Sequence, residues 1–254
     1  MKISEKLRNA LITAALFLFG AIPAFAEDYG QSLFNIILRE FHPEKAAMTL
    51  SSLPRENGLI PWAYFELCGA NVQGLRISKL KVDGFDAMVS PPERWKDLDY
   101  PEISSVLACH AEAHVTESDV NDFLMERAFG DKDEWSGVKV RMRDGRITAS
   151  AYYLADLKLF RLKVKLEVSC VLAARHGTEL WLEDIQLKVN NAEVSPSYVT
   201  RALEGLQPVI NLSRYNLPLH ISRIEFKNGS CYVRSRILPK PFDGIRWEYE
   251  RKRS

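Results

Sequence analysis

Between His114 and Arg236 apolar and polar positions alternate over most of the chain, and the interruptions carry helical spacing instead. Val138, Val140 and Met142 alternate up to an Asp144-Gly145 turn, and Ile147, Ala149, Ala151 and Tyr153 alternate after it. Leu162, Val164, Leu166, Val168, Cys170 and Leu172 stay in step, His176-Gly177 turns the chain, and Ile185, Leu187 and Val189 return. A period of two with one apolar face predicts an antiparallel meander. Leu217, Leu219 and Ile221, then Ile224 and Phe226, an Asn228-Gly229 turn, and Cys231 and Val233 are expected to complete that sheet.

Three segments read as helices. Thr116 opens a capping-box-like start with Asp119 at the third helical position, and Val120, Phe123, Leu124 and Ala128 form the stripe behind it. Ser195-Pro196 supplies an N-cap and a proline at the first helical position. Val199, Ala202, Leu203, Leu206 and Ile210 then predict a stripe of about four turns that Pro208 bends or ends. Nearer the N-terminus, Ser32 precedes a stripe at Phe34, Ile37, Leu38 and Phe41, which His42-Pro43 stops. Its polar face lacks the Lys/Arg density of an interfacial helix, so it is expected to pack on the domain. Trp62 to Val89 reads as strand, Pro91-Pro92 breaks it, and Trp95 is expected to lie as a lid over the core. From Val106 to Val115 the odd positions are apolar and the even ones hold His110, Glu112 and His114, which is a strand pattern.

The first residues address the compartment. Lys2, Lys6 and Arg8 precede an apolar run from Ala10 to Ile22 that ends in Ala24-Phe25-Ala26, so residues 1–26 read as a secretory signal and an exported product is expected. The run is shorter than the ~20 residues a membrane span needs. Cleavage removes three basic groups and one acidic group, moving the formal charge from +1 to −1. So balanced a chain has no global field to draw in nucleic acid. Residues 27–237 are read as a single domain. Residues 238–254 carry Trp247 and Tyr249 before Arg251-Lys252-Arg253 and read as a solvated, poorly ordered tail.

Clustered polar chemistry is sparse. His110 and His114 are four apart, which on a strand separates them by about 13 Å, too far for one ion. G-x-S-x-G, Walker and G-x-G-x-x-G patterns are absent, and His42, His110, His114, His176 and His220 are scattered. Ser150 and Ser169 read as sheet residues, and Glu183-Asp184 as solvated charge. No catalytic residue, metal or cofactor is expected. Cys68, Cys109, Cys170 and Cys231 lack C-x-x-C spacing and allow three pairings or four buried thiols. Cys68 with Cys109 and Cys170 with Cys231 is the pairing that would join neighbours in a sequentially laid sheet.

What remains is apolar volume, and periodicity alone leaves a packed core and a hydrophobic groove equally open. The run Val115-Thr-Glu-Ser-Asp-Val-Asn-Asp-Phe-Leu124, the Arg143-Asp-Gly145 hairpin and the segment from Ser195 through Asn211-Leu-Ser-Arg-Tyr-Asn-Leu-Pro-Leu219 resemble the LmeA-type family of phospholipid-binding envelope proteins. The likeness extends through Ile221 to Val233 and back toward Phe34. It implies an α+β fold in which a strongly curved antiparallel sheet wraps a long amphipathic helix, with lipid tails between them. Mapped onto matching segments, Val199, Leu203, Leu206 and Ile210 become the implied lining, with Val120, Phe123 and Leu124 beside them. Phospholipid or another acyl-chain lipid is the implied partner, through transient contact with a membrane, for transport or presentation in the periplasm or cell envelope. Arg201 and Arg214 read as solvated. Two other function classes stay open: an envelope scaffold that binds a protein partner through a sheet edge, and a lipid or glycan hydrolase.

Overall fold

The computed structural model describes residues 29–96, 101–128, 134–156, 161–203, 207–215 and 217–252. The predicted signal, Leu206 and part of the surrounding linker therefore lie outside the described residues, as do the side chains of Ala202 and Leu203. No described helix is long and apolar enough to cross a membrane.

Helix α1, Tyr29–Phe41, starts upstream of the predicted Ser32 boundary. It ends where His42 turns left-handed at φ 43° and its N–H bonds to the Leu38 carbonyl at 3.0 Å. Strands β1 (Lys45–Leu50), β2 (Leu59–Val72) and β3 (Leu75–Val89) follow. The helix lays Leu33, Phe34 and Ile36 on Met48, Leu50 and Leu67, and this cluster is the packed core of the molecule. Trp95 seals its rim with 4% exposure, its indole N–H donating to the Ser90 carbonyl at 2.7 Å, as a lid would.

Beyond a short β4 (Ile103–Ser105) come β5 (Ala108–Thr116) and α2 (Glu117–Phe123), which passes into a π turn over Leu124–Ala128. The predicted capping box is present: the Thr116 hydroxyl accepts from the Asp119 N–H, and Asp119 accepts from the Thr116 N–H. The meander is β6 (Trp135–Arg143), β7 (Arg146–Asp156), β8 (Arg161–Arg175), β9 (Glu179–Val189) and a two-residue β10 (Ala192–Glu193). Then follow α3 (Pro196–Leu203), β11 (Ile210–Asn211), β12 (Ile221–Lys227), β13 (Ser230–Ser235) and β14 (Ile245–Glu250). The Asp144-Gly145 and Asn228-Gly229 turns have both central φ angles positive, as two-residue hairpins require.

Three expectations are corrected. The strands form two sheets: β12-β13-β5-β3-β2-β1-β14, with β4 beside β3, and β10-β9-β8-β7-β6, with β11 beside β9. The final hairpin does not extend the meander, because β13 pairs with β5, Val233 facing Ala113. Alternation reveals which side chains share a face but not which free edge a hairpin will take.

The long helix is also absent from the described residues. Helix α3 has eight residues, and Ile210 belongs to β11, opposite Leu180. Pro208 has no N–H to continue a helix, and the Gln207 carboxamide grips the Leu182 backbone at both N–H and carbonyl, turning the chain along β9.

Third, the C-terminal segment is not a loose tail through Glu250: β14 pairs along the whole of β1, with Trp247 opposite Met48 and packed on the core. The four cysteines are free thiols. Cys68 lies opposite Lys79 and Cys109 opposite Gly84, on strands either side of β3. They are two strands and five residues apart, roughly 19 Å by strand geometry, well beyond disulfide reach. Cys170 and Cys231 belong to different sheets.

Candidate lipid-binding face

The second sheet has two chemically opposite faces. Its register sets Val140, Ala149, Val168 and Leu187 in one row across four strands, with Ala151, Leu166 and Val189 in the next. Met142, Ile147 and Cys170 form a third row. No side chain in these rows is charged. Ala149 and Ala151 are small residues between larger neighbours, so the middle of this face is low along β7.

Sealing distinguishes this sheet from the first. Beneath α1, Met48 and Leu50 have no exposure and Leu67 has 3%. On the second sheet Val140, Met142, Ala151, Cys170 and Leu180 are buried. Val164, Leu166, Val168, Leu172, Leu187 and Val189 stay half-buried. Among the described residues the helices reach this face only at β6 and β9, leaving seven strand positions half-open, whereas an apolar sheet face ordinarily packs against another layer. Tyr153 on β7 is the seventh, packed against Trp135 with ring centroids 4.9 Å apart.

Two helices and one strand border the face. Helix α2 touches β3 and β5 of the first sheet and β6 of the second, α3 touches β9, and β12 lies against β6 and β8. The α2 junction is hydrogen-bonded. The Asn121 carboxamide oxygen accepts from the Val140 N–H at 2.6 Å, and Glu117 accepts from the Met142 N–H at 2.6 Å. Beneath it, the buried Asp119 carboxylate accepts from Ser78, from the Thr116 N–H and hydroxyl, and from Arg76 at 2.6 Å. Burial pushes this carboxyl upward, but the donors outweigh burial and hold it below its ordinary range.

The residues expected to line the site are only partly brought together. Val199 is 5% exposed and faces inward from α3. Ile210 is 42% exposed on the β11 edge, which removes it from any helical lining stripe. Leu203 and Leu206 fall outside the described side chains. Val120, Phe123 and Leu124 are half-buried on α2 and its π turn, at the border of the open face. Leu166, Val168 and Leu187 were legible as an apolar strand face but not as a lining, because alternation does not report whether a layer covers them.

Convergent polar chemistry is limited. Strand β5 separates the two histidines as expected: His110 Nδ1 lies 2.7 Å from Asp83, while His114 stacks on Tyr232 with centroids 4.5 Å apart. Among the described residues no group of three or more His, Cys, Asp or Glu is placed to hold a metal ion.

A family model described as LmeA-like phospholipid-binding matches residues 44–234, three quarters of the chain, from β1 to the end of β13. The chain belongs to the LmeA-like phospholipid-binding family. The matched span includes the second sheet, the first sheet apart from β14, and α2 and α3, but not α1. No curated protein and no solved structure matches the chain.

Proposed function

We propose that this LmeA-like protein binds phospholipid by its acyl chains, against the apolar face of the second sheet, in a hydrophobic groove bordered by α2, α3 and β12. The observation that carries the reading is the run of half-buried Val164, Leu166, Val168, Leu187 and Val189 opposite a fully sealed core under α1. Each methylene moved from water onto such a surface contributes about 0.8 kcal/mol, so a pair of acyl chains supplies ample affinity without head-group selectivity. The protein acts as a carrier or presenter of lipid, not as an enzyme. It works in the cell envelope after export directed by residues 1–26, whose charged head, apolar run and Ala24-Phe25-Ala26 end support that address.

Native mass spectrometry of the protein after incubation with mixed phosphatidylcholine and phosphatidylglycerol vesicles tests this directly. The expected result is a complex with an integral number of phospholipids, lost in a Val168→Asp variant whose circular dichroism matches the native protein. Protein that is purified free of lipid and takes none from vesicles would refute the reading.

A further inference from the structure

The reverse face of the second sheet carries a cationic lattice. Strand pairing sets Lys139, Ser150, Glu167 and Lys188 in one row and Arg141, Thr148, Ser169 and Gln186 in the next. Together with Lys165 they surround a shallow depression of about 450 Å³. Four cations and one acid line it. Glu167 is engaged by Lys165 at 2.8 Å, and Lys188 reaches the exposed Glu193 at 3.5 Å. Among the described residues Lys139 and Arg141 form no ion pair and are exposed. At the margin, Lys163 sits 4.4 Å over the ring of Tyr152, which is 38% exposed.

The chain as a whole is near-neutral, so this concentration of positive charge is local. Its shape also restricts the partner. The cations come from β6, β8 and β9 and spread in two dimensions across the sheet, matching a plane of phosphates better than one linear polyanion, and Thr148, Ser150 and Ser169 add hydroxyl donors among them. An exposed tyrosine beside lysines is an arrangement that settles at a bilayer interface.

We propose that the polar face of the second sheet is an electrostatic docking surface for anionic phospholipid bilayers. It holds the protein at the membrane while the apolar face behind it exchanges lipid. The partner's identity rests on the acyl-chain reading above, but the two are separable by experiment.

Co-sedimentation of the full chain with phosphatidylcholine vesicles, with and without phosphatidylglycerol, provides the test. Binding is expected only when phosphatidylglycerol is present, and is expected to weaken as salt is raised. A double Lys139→Glu, Arg141→Glu variant, which breaks no existing ion pair, is expected to reduce it ~10-fold or more. The same variant should still load phospholipid presented in detergent micelles. Equal binding to both vesicle types, or binding indifferent to salt and to the charge reversal, overturns the proposal. So does tighter retention on duplex DNA than on the anionic vesicles. Charge-dependent docking by a protein that loads no lipid from micelles would instead sink the acyl-chain reading and leave the docking surface standing.

Discussion

The side-chain amide of Asn121 stands in for a strand at the edge of the second sheet, accepting from the Val140 N–H at 2.6 Å and donating to the Val140 carbonyl at 3.1 Å. Through this pair α2, which caps onto β5 of the first sheet, holds β6 of the second. Val140 is 3% exposed, so its backbone groups are buried behind this amide. Asn121→Ala is expected to cost about 2–3 kcal/mol in urea denaturation, from the loss of these two hydrogen bonds and of a third to the Glu117 carbonyl at 2.7 Å. A loss under 0.5 kcal/mol would show that the junction is held elsewhere.

Asp119 makes the same junction sensitive to acid. Burial acts to raise its pKa, but the donors Ser78, Thr116 and Arg76 prevail and leave it depressed from the ordinary 3.8. A carboxyl with a lowered folded pKa contributes stability that is fully present above its unfolded value and is lost as pH falls through the folded one. The stability difference between the native chain and Asp119→Asn should therefore be constant from pH 7 to about 5 and shrink below about pH 4. At neutral pH it is expected to be about 2–3 kcal/mol, the range for hydrogen bonds to a charged group. Urea midpoints across that pH range measure both features. A difference that grows on acidification would reverse the assigned sign.

Local signals in the sequence carried most of the secondary structure. The Thr116 capping box, the Asp144-Gly145 and Asn228-Gly229 turns and the alternation through β6 to β9 depend on neighbours within a few residues, and each appears where it was read. Long-range choices were not legible. The β12–β13 hairpin could have closed on either sheet and chose β5, and β14 pairs with a strand some two hundred residues earlier in the chain. The alternation of Ile245, Trp247 and Tyr249 was its available signal, obscured by the basic residues after it. Trp247 also explains Gly30: a Cβ there would lie 2.4 Å from the indole, a constraint visible only once the two ends of the chain meet. For the candidate site, the apolar stripe after Ser195 suggested a helix that Pro208 and the Gln207 contact with β9 cut short. The half-buried sheet face carries the apolar surface instead.

The thiols give a chemical check on the packing. Burial pushes Cys109 up to about 11, with the nearby Asp83 adding to it, and burial alone pushes Cys231 to about 11. Cys170 is also raised by burial, against a smaller opposing effect from Arg146. Thiols so protonated and enclosed are poor nucleophiles. At pH 8 the native protein should resist iodoacetamide at Cys109, Cys170 and Cys231, and all four cysteines should react in denaturant. Intact mass should be the same with and without reductant before alkylation. A loss of two hydrogens per pair in unreduced protein would establish bridges and require the strands to be rearranged.

Filling the open face separates a lipid site from an imperfect core. Val168 sits between Ala149 and Leu187 in the central apolar row and is half-buried. In a tightly packed interior Val168→Trp would force neighbours off their rotamers and cost about 1–3 kcal/mol. Above an unsealed sheet the indole lies in space that an acyl chain would otherwise occupy, and its own burial offsets any strain. The expected outcome is unchanged or raised stability in urea together with loss of phospholipid from the native mass spectrum. Because tryptophan is apolar, that loss cannot be ascribed to a charge placed in the fold, as it could for Val168→Asp. Strong destabilisation with lipid retained would place the bound chains elsewhere and identify this face as core.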